Sequence, residues 1–222
     1  MATEDVAPEP GHATQPPSGP PATGGTAGPD YTERLRRLGG QAWKQRLDVQ
    51  RPYRWNLRRL NLGRTLDLGC GVGRNLAHLE GNGVGVDHNA SSVAIARAEG
   101  WNALTTAEFL ASPYAVPGAF DSLLAAHVVE HLDRPQAHTL LRDHLQYVRP
   151  GGKVVLICPQ ERGYASDATH VQFTDFAGLT ELCRELGLSV TRQFSFPLPR
   201  LLGRVFTYNE FVVVARRSEL SG

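Results

Sequence analysis

Long apolar runs, paired cysteines and excess charge are all missing from this chain, and each absence excludes something. No stretch approaches the roughly 20 apolar residues that a membrane-spanning helix needs, and the N-terminus lacks the basic start and apolar core of a secretory signal. The cysteines, Cys70, Cys158 and Cys183, are odd in number and widely spaced, which argues against a disulfide framework and against a zinc knuckle. A reducing, cytoplasmic setting is the expectation. With 23 basic and 22 acidic residues the net charge is +1, so the molecule as a whole does not attract nucleic acid.

What is present suits one sizeable domain with a full core and a tail: 222 residues, 41% hydrophobic and 20% charged. Met1 to Pro29 is mostly Pro, Gly, Ala and Thr, too poor in large apolar side chains to offset ordering entropy, and reads as a disordered leader. Asp30 with Glu33 makes a capping box, after which Leu35, Leu38, Ala42, Trp43 and Leu47 recur at helical spacing. Pro52 is expected to end that helix, with a second short one over Tyr53–Leu60. Residues 30–62 are therefore read as a helical cap and 63–217 as the main domain. From Arg64 short apolar runs alternate with helical stretches. Strands are expected at Thr65–Leu68, Gly83–Val86, Ala103–Thr105, Phe120–Ala126 and Lys153–Cys158, with helices after the first, second, fourth and fifth. Such alternation predicts parallel strands in a three-layer αβα sandwich. After a helix at Asp175–Leu186, the runs Ser189–Phe196 and Val205–Arg216 have no helix between them and should pair as an antiparallel hairpin.

The segment TLDLGCGVGRNLAHL sets a strand, a glycine turn and a helix in succession, so the backbone can approach a ligand closely. About 20 residues on, Val84-Gly85-Val86-Asp87 ends a second strand in an acid, placed to grip ribose hydroxyls. The glycines read G-x-G-x-G: Arg74 stands where a dinucleotide fold wants Gly or Ala, which disfavours a nicotinamide enzyme.

LDLGCGVG and VGVDHNASSVAIARA resemble the first two motifs of the class I S-adenosylmethionine-dependent methyltransferases. FDSLLAAHVVEHL resembles the fourth-strand motif, and Val148-Arg149-Pro150-Gly151-Gly152 the turn before strand five; the likeness runs from about Arg64 to the C-terminus. The resemblance implies a Rossmann-like seven-stranded sheet of order 3-2-1-4-5-7-6 with strand 7 antiparallel, and S-adenosyl-L-methionine as cofactor. It also implies Asp67 near the methionine end, Gly69, Cys70, Gly71 and Gly73 under the cofactor, Asp87 on the ribose and His88 beside the adenine. Glu108 with Phe109 is the best match to the residue at the adenine amino group, and His127 borders the cofactor from strand four.

In AAHVVEHL, the residues His127, Glu130 and His131 follow a buried strand at the end where, in such sheets, ligands sit. His170, in the strand-five loop with Asp167, resembles the histidine that closes this loop in related methyltransferases. For these four candidate catalytic groups, His127, Glu130, His131 and His170, three roles stay open: general base or substrate hydrogen bonding, a divalent metal site, and structure. The pattern H-x-x-E-H with a later His is similar to the E-x-x-E-H plus His metal site of small-RNA 2′-O-methyltransferases and of ubiquinone-pathway O-methyltransferases, with His127 where those families place glutamate. Such a donor set suits a borderline transition metal better than magnesium.

RPYRWNLRR, Arg51 to Arg59, interleaves aromatics with arginines, a mixture able to stack on bases and pair with phosphates. The favoured reading is a lid over the cleft, with Tyr31, Trp43, Tyr53 and Arg54 as cavity residues. The function implied is methyl transfer to a small-molecule acceptor, at oxygen rather than nitrogen or carbon. The alternatives are an RNA or protein methyltransferase and a non-catalytic S-adenosylmethionine-binding protein.

Overall fold

A computed structural model describes residues 48–219. The leader, the capping box at Asp30 and the candidates Tyr31 and Trp43 lie outside the described residues. The first described helix, α1 (Arg51–Arg59), carries Pro52 in its first turn, where a missing N–H costs nothing. Pro52 therefore opens the short helix expected over Tyr53–Leu60, while the helix expected before it lies outside the described residues.

Seven strands follow: β1 (Thr65–Leu68), β2 (Gly83–Asp87), β3 (Ala103–Thr105), β4 (Phe120–Ala126), β5 (Val148–Pro159), β6 (Leu188–Phe196) and β7 (Glu210–Arg217). They form one sheet in the order β3-β2-β1-β4-β5-β7-β6, parallel except for β7, which pairs antiparallel with both β5 and β6. Between the strands run α2 (Arg74–His78), α3 (Ala90–Ala98), α4 (Thr106–Leu110), α5 (Arg134–Leu145), α6 (Glu161–Tyr164) and α7 (Phe176–Glu185). Helix α4 follows the third strand, the one place where the sequence pattern left a helix open. Thr105 and Glu108 form a capping box there, satisfying backbone donors that a short helix otherwise leaves open.

The central strands are apolar throughout because both sheet faces are covered. Successive residues alternate between the two cores. Leu123, Ala125, Val154, Leu156, Phe211 and Val213 face the layer of α5 and α7, whereas Leu124, Val155, Ile157, Val212 and Val214 face Leu57, Leu60 and Leu62 of the α1 segment. Strand β7 starts at Glu210, later than the apolar run from Val205 implied. Asn209 stops it: its amide donates to Gln160 Oε1 and Ser195 Oγ at 3.0 Å each, and its Oδ1 accepts from the Leu198 N–H at 2.8 Å, fixing a loop. That loop contains a 3₁₀ turn at Arg200–Arg204.

Parallel register sets Asp67 beside Leu124, Leu68 beside Ala125 and Asp87 beside Thr105. The carboxyl ends of β1, β2 and β4 therefore open on one place.

Candidate active site

A cavity of about 450 Å³ lies over those strand ends, walled by the glycine loop, the β4 corner, α1 and the start of β7. Gly69 has φ +69, and a Cβ there would lie 2.4 Å from Val128 Cγ2; Gly73, at φ +87, lets the chain turn into α2 against Trp101. Gly69, Cys70 and Gly71 reach the wall; Gly73 shapes the turn without lining it. The Cys70 thiol is pushed up by burial and then by Asp67 and Asp87, so it is an inert wall group.

Asp67 is fully buried beneath this loop. Asn75 Nδ2 donates to its Oδ1 at 3.4 Å, while Oδ2 has no hydrogen-bond partner among the described residues. Burial pushes its carboxyl up to about 7, against the Asn75 hydrogen bond, which lowers it. An orphaned buried carboxylate oxygen fits a cationic group of a ligand. Asp87 is already partly engaged: Oδ2 accepts from the Gly71 N–H and Oδ1 from the Asn89 N–H, both at 2.8 Å. A carboxylate has about four lone-pair sites, so capacity for two hydroxyls is left. His88 and Thr106 line the same end of the cavity.

Glu108 and Phe109 do not belong to that wall. Glu108 Oε2 accepts from Arg97 Nη2 at 2.6 Å and from the Thr105 N–H at 2.7 Å, and it is held down to about 2 by Arg97 first and Thr105 next. Phe109 is buried in the core edge-on to Tyr147, 5.0 Å between ring centres. The capping box turns Glu108 back along its own helix, leaving Thr106 as the residue of this turn that reaches the cavity. Arg54 is likewise drawn away, paired with Asp48 at 2.6 Å, whereas Tyr53 does line the cavity and donates its hydroxyl to the Tyr208 carbonyl at 2.7 Å.

His127 occupies the corner after β4 with φ +60, a left-handed conformation uncommon for a residue other than glycine. Its ring lies between two carboxylates, Nδ1 3.2 Å from Glu130 Oε1 and Nε2 2.9 Å from Glu210 Oε1. Burial alone would lower its pKa. The hydrogen bonds and charges of Glu130 and Glu210 outweigh that and push it up to about 10, so His127 is an imidazolium at neutral pH. A protonated ring donates from both nitrogens, here to Glu130 and Glu210. The accessible part of its side chain, 41%, belongs to the cavity wall.

Glu130 is fully buried; burial would raise its pKa, but the hydrogen bond and charge of His127 hold it below the usual range. Its backbone carbonyl accepts from the Val171 N–H at 2.7 Å, tying the loop after α6 to the β4 corner. That loop supports His131. Asp167 Oδ1 accepts from the Thr169 N–H at 2.9 Å and hydroxyl at 2.7 Å, and the Thr169 carbonyl lies 3.2 Å from His131 Nδ1. A carbonyl partner requires Nδ1 to carry the proton, so the neutral ring has its lone pair on Nε2. Burial, the largest cause, keeps the pKa of His131 below the ordinary value, and His131 lines the cavity. His170 stands behind it, rings 4.8 Å apart, with Nδ1 2.7 Å from the Tyr164 carbonyl. Ligand atoms of Glu130, His131 and His170 all lie within 4.8 Å of one another. The fourth member of the expected metal set, His127, is turned to Glu210 instead.

Glu210 is the residue that sequence reasoning missed. A charge opening the otherwise apolar run EFVVVA was the available signal. Arg74 and Asn56, also in the wall, gave none beyond their position next to the glycine loop and on α1.

Residues 66–156 match the protein family described as "Methyltransferase domain". No curated protein matches the chain. Among solved structures, the chain is similar to a SAM-dependent methyltransferase from Archaeoglobus fulgidus, with 19% identity over 79% of this chain and 98% of that one at a TM-score of 0.57. It is similar to magnesium protoporphyrin IX methyltransferase from Synechocystis PCC 6803 with bound SAH, at 18% identity, 87% and 97% coverage and a TM-score of 0.60. A third is the complex between the Haloferax volcanii Trm112 methyltransferase activator and the putative methyltransferase, at 18% identity, 86% and 97% coverage and a TM-score of 0.63.

Proposed function

We propose that the chain is a class I S-adenosylmethionine-dependent methyltransferase that methylates a small molecule at oxygen, with His131 taking the hydroxyl proton. The cofactor supplies a methyl group carried on a cationic sulfur. Asp67, with its orphaned Oδ2, suits the ammonium of the amino-acid end, and Arg74 in the same wall suits the carboxylate. Asp87 offers its remaining lone pairs to the ribose, and His88 and Thr106 border the base. Cofactor and acceptor then meet over the end of β4, where alignment itself provides much of the rate.

The role of His131 is supported by one observation: it lines the cavity over the end of β4 with a pKa that burial holds below the ordinary histidine value. Its neighbour His127 is charged and acts as a fixed cation between Glu130 and Glu210. Incubation with a labelled methyl donor and a fractionated metabolite extract is expected to give a small O-methylated product. His131→Ala should reduce turnover by roughly 100-fold with cofactor affinity unchanged. Label on nitrogen, on RNA or on protein, or full activity in His131→Ala, would contradict the reading.

A second reading is favoured by the position of the buried Glu130 carboxylate near His131 and His170. One carboxylate and two imidazoles suit zinc or iron rather than magnesium. Metal analysis of purified protein decides: a stoichiometric transition metal, lost in Glu130→Gln and His170→Ala alike, supports this reading, and metal-free active protein excludes it.

A further inference from the structure

The outer side of α1 carries an arrangement that methyl transfer does not use. Arg59 of α1 and Arg192 of β6 both lie over the ring of Phe194, their guanidinium carbons 4.8 and 4.5 Å from its centre. Arg59 also covers Trp55 at 4.4 Å, and Trp55, 55% exposed, stacks on Phe196. Two other arginines of the same helix have acidic partners: Arg54 holds Asp48 and Arg58 holds Glu80, each at 2.6 Å. Among the described residues Arg59 donates only to the neutral Asn56 Oδ1, at 3.0 Å, and neither Arg59 nor Arg192 has a carboxylate partner. Burial and then the charge of Arg192 lower the pKa of Arg59.

Aromatic faces offset part of the repulsion between two such cations, but among the described residues no carboxylate balances their charge. What completes the arrangement is an anion whose oxygens match two planar donor forks, and a phosphoryl group does so better than a halide or a single carboxylate oxygen. We propose that Arg59 and Arg192 form a phosphoryl-binding subsite on the α1/β6 face, distinct from the methyl-transfer cavity. It is joined to that cavity through rings: Phe196, stacked on Trp55, meets Tyr53 edge-on at 5.7 Å, and Tyr53 lines the cavity wall. The subsite takes the phosphoryl group of a ligand lying across α1, either a small phosphate ester or a nucleic-acid backbone.

Calorimetric titration of the full chain with inorganic phosphate, phenyl phosphate and a short oligouridylate, at constant ionic strength, tests this. At least one probe is expected to bind, and Arg59→Gln and Arg192→Gln should each weaken it by about tenfold or more. Arg192 is exposed, so its replacement leaves folding intact, and cofactor affinity in both variants should equal that of the parent. Tighter binding of phenyl phosphate identifies a small ester as the ligand. A preference for the oligonucleotide, with a steep salt dependence, identifies a backbone. Absence of binding by all three probes up to about 10 mM, or binding unchanged in both variants, would overturn the proposal.

Discussion

Asp67, fully buried, and His127, held between two carboxylates, set the pH behaviour of the molecule, and both lose a stabilising contribution as pH rises, over different windows. Asp67 has a folded pKa of about 7, above its unfolded value. Its ionisation therefore costs stability: the contribution is intact below the unfolded pKa and is lost as pH rises towards 7. Asp67→Asn is expected to raise the melting temperature of the cofactor-free protein by several degrees at pH 8, with the gain vanishing below about pH 4. Scanning calorimetry at both pH values checks it. His127, raised to about 10, stabilises the fold fully below about 6.5 and loses that contribution as pH rises towards 10. In Glu210→Gln the His127 ring should titrate at least about one unit lower, read by NMR of the imidazole protons. At this scale the sequence was legible where chemistry is local. The LDLGCGVG loop and Asp87 meet at one cavity wall, the Gly71 N–H donating to Asp87 Oδ2, because strand, turn and acid are close in sequence. Glu108 lies off the cavity wall because a capping box and Arg97, eleven residues earlier, hold its carboxylate, which the motif alone did not show. Glu210 was invisible because its partner His127 lies 83 residues away.

Helix α1 is the element on which cavity and core depend together. Leu57 is 3% exposed and packs on β4, β5 and β7, while Tyr53 and Asn56 face the cavity. The C-terminal carbonyls of Leu60 and Asn61 accept from Lys153 Nζ of β5 at 2.6 and 2.8 Å. Lys153→Met should cost about 2 kcal/mol in urea unfolding, since it removes two charge-assisted hydrogen bonds at once. Leu57→Ala should cost more, about 2–5 kcal/mol, and also weaken acceptor binding. Strand positions were readable from apolar runs, and the β6–β7 hairpin from the missing helix. The true start of β7 was not, because Asn209 stops the strand through side-chain contacts with Gln160 and Ser195 that no local pattern announces.

Over the whole molecule, parallel register gathers Asp67, Asp87 and the His127–His131 corner at one end of the sheet, and α1 and Glu210 close the space above them. Among the described residues no helix is long and apolar enough to cross a membrane. Titrating S-adenosylmethionine into the full chain by calorimetry between pH 5.5 and 8.5 tests the cofactor site most directly. The expected result is one site per chain, with affinity that falls as pH drops through about 7, where Asp67 takes up a proton, and a large loss of affinity in Asp87→Ala. Absence of binding, or binding indifferent to both pH and Asp87→Ala, would contradict it.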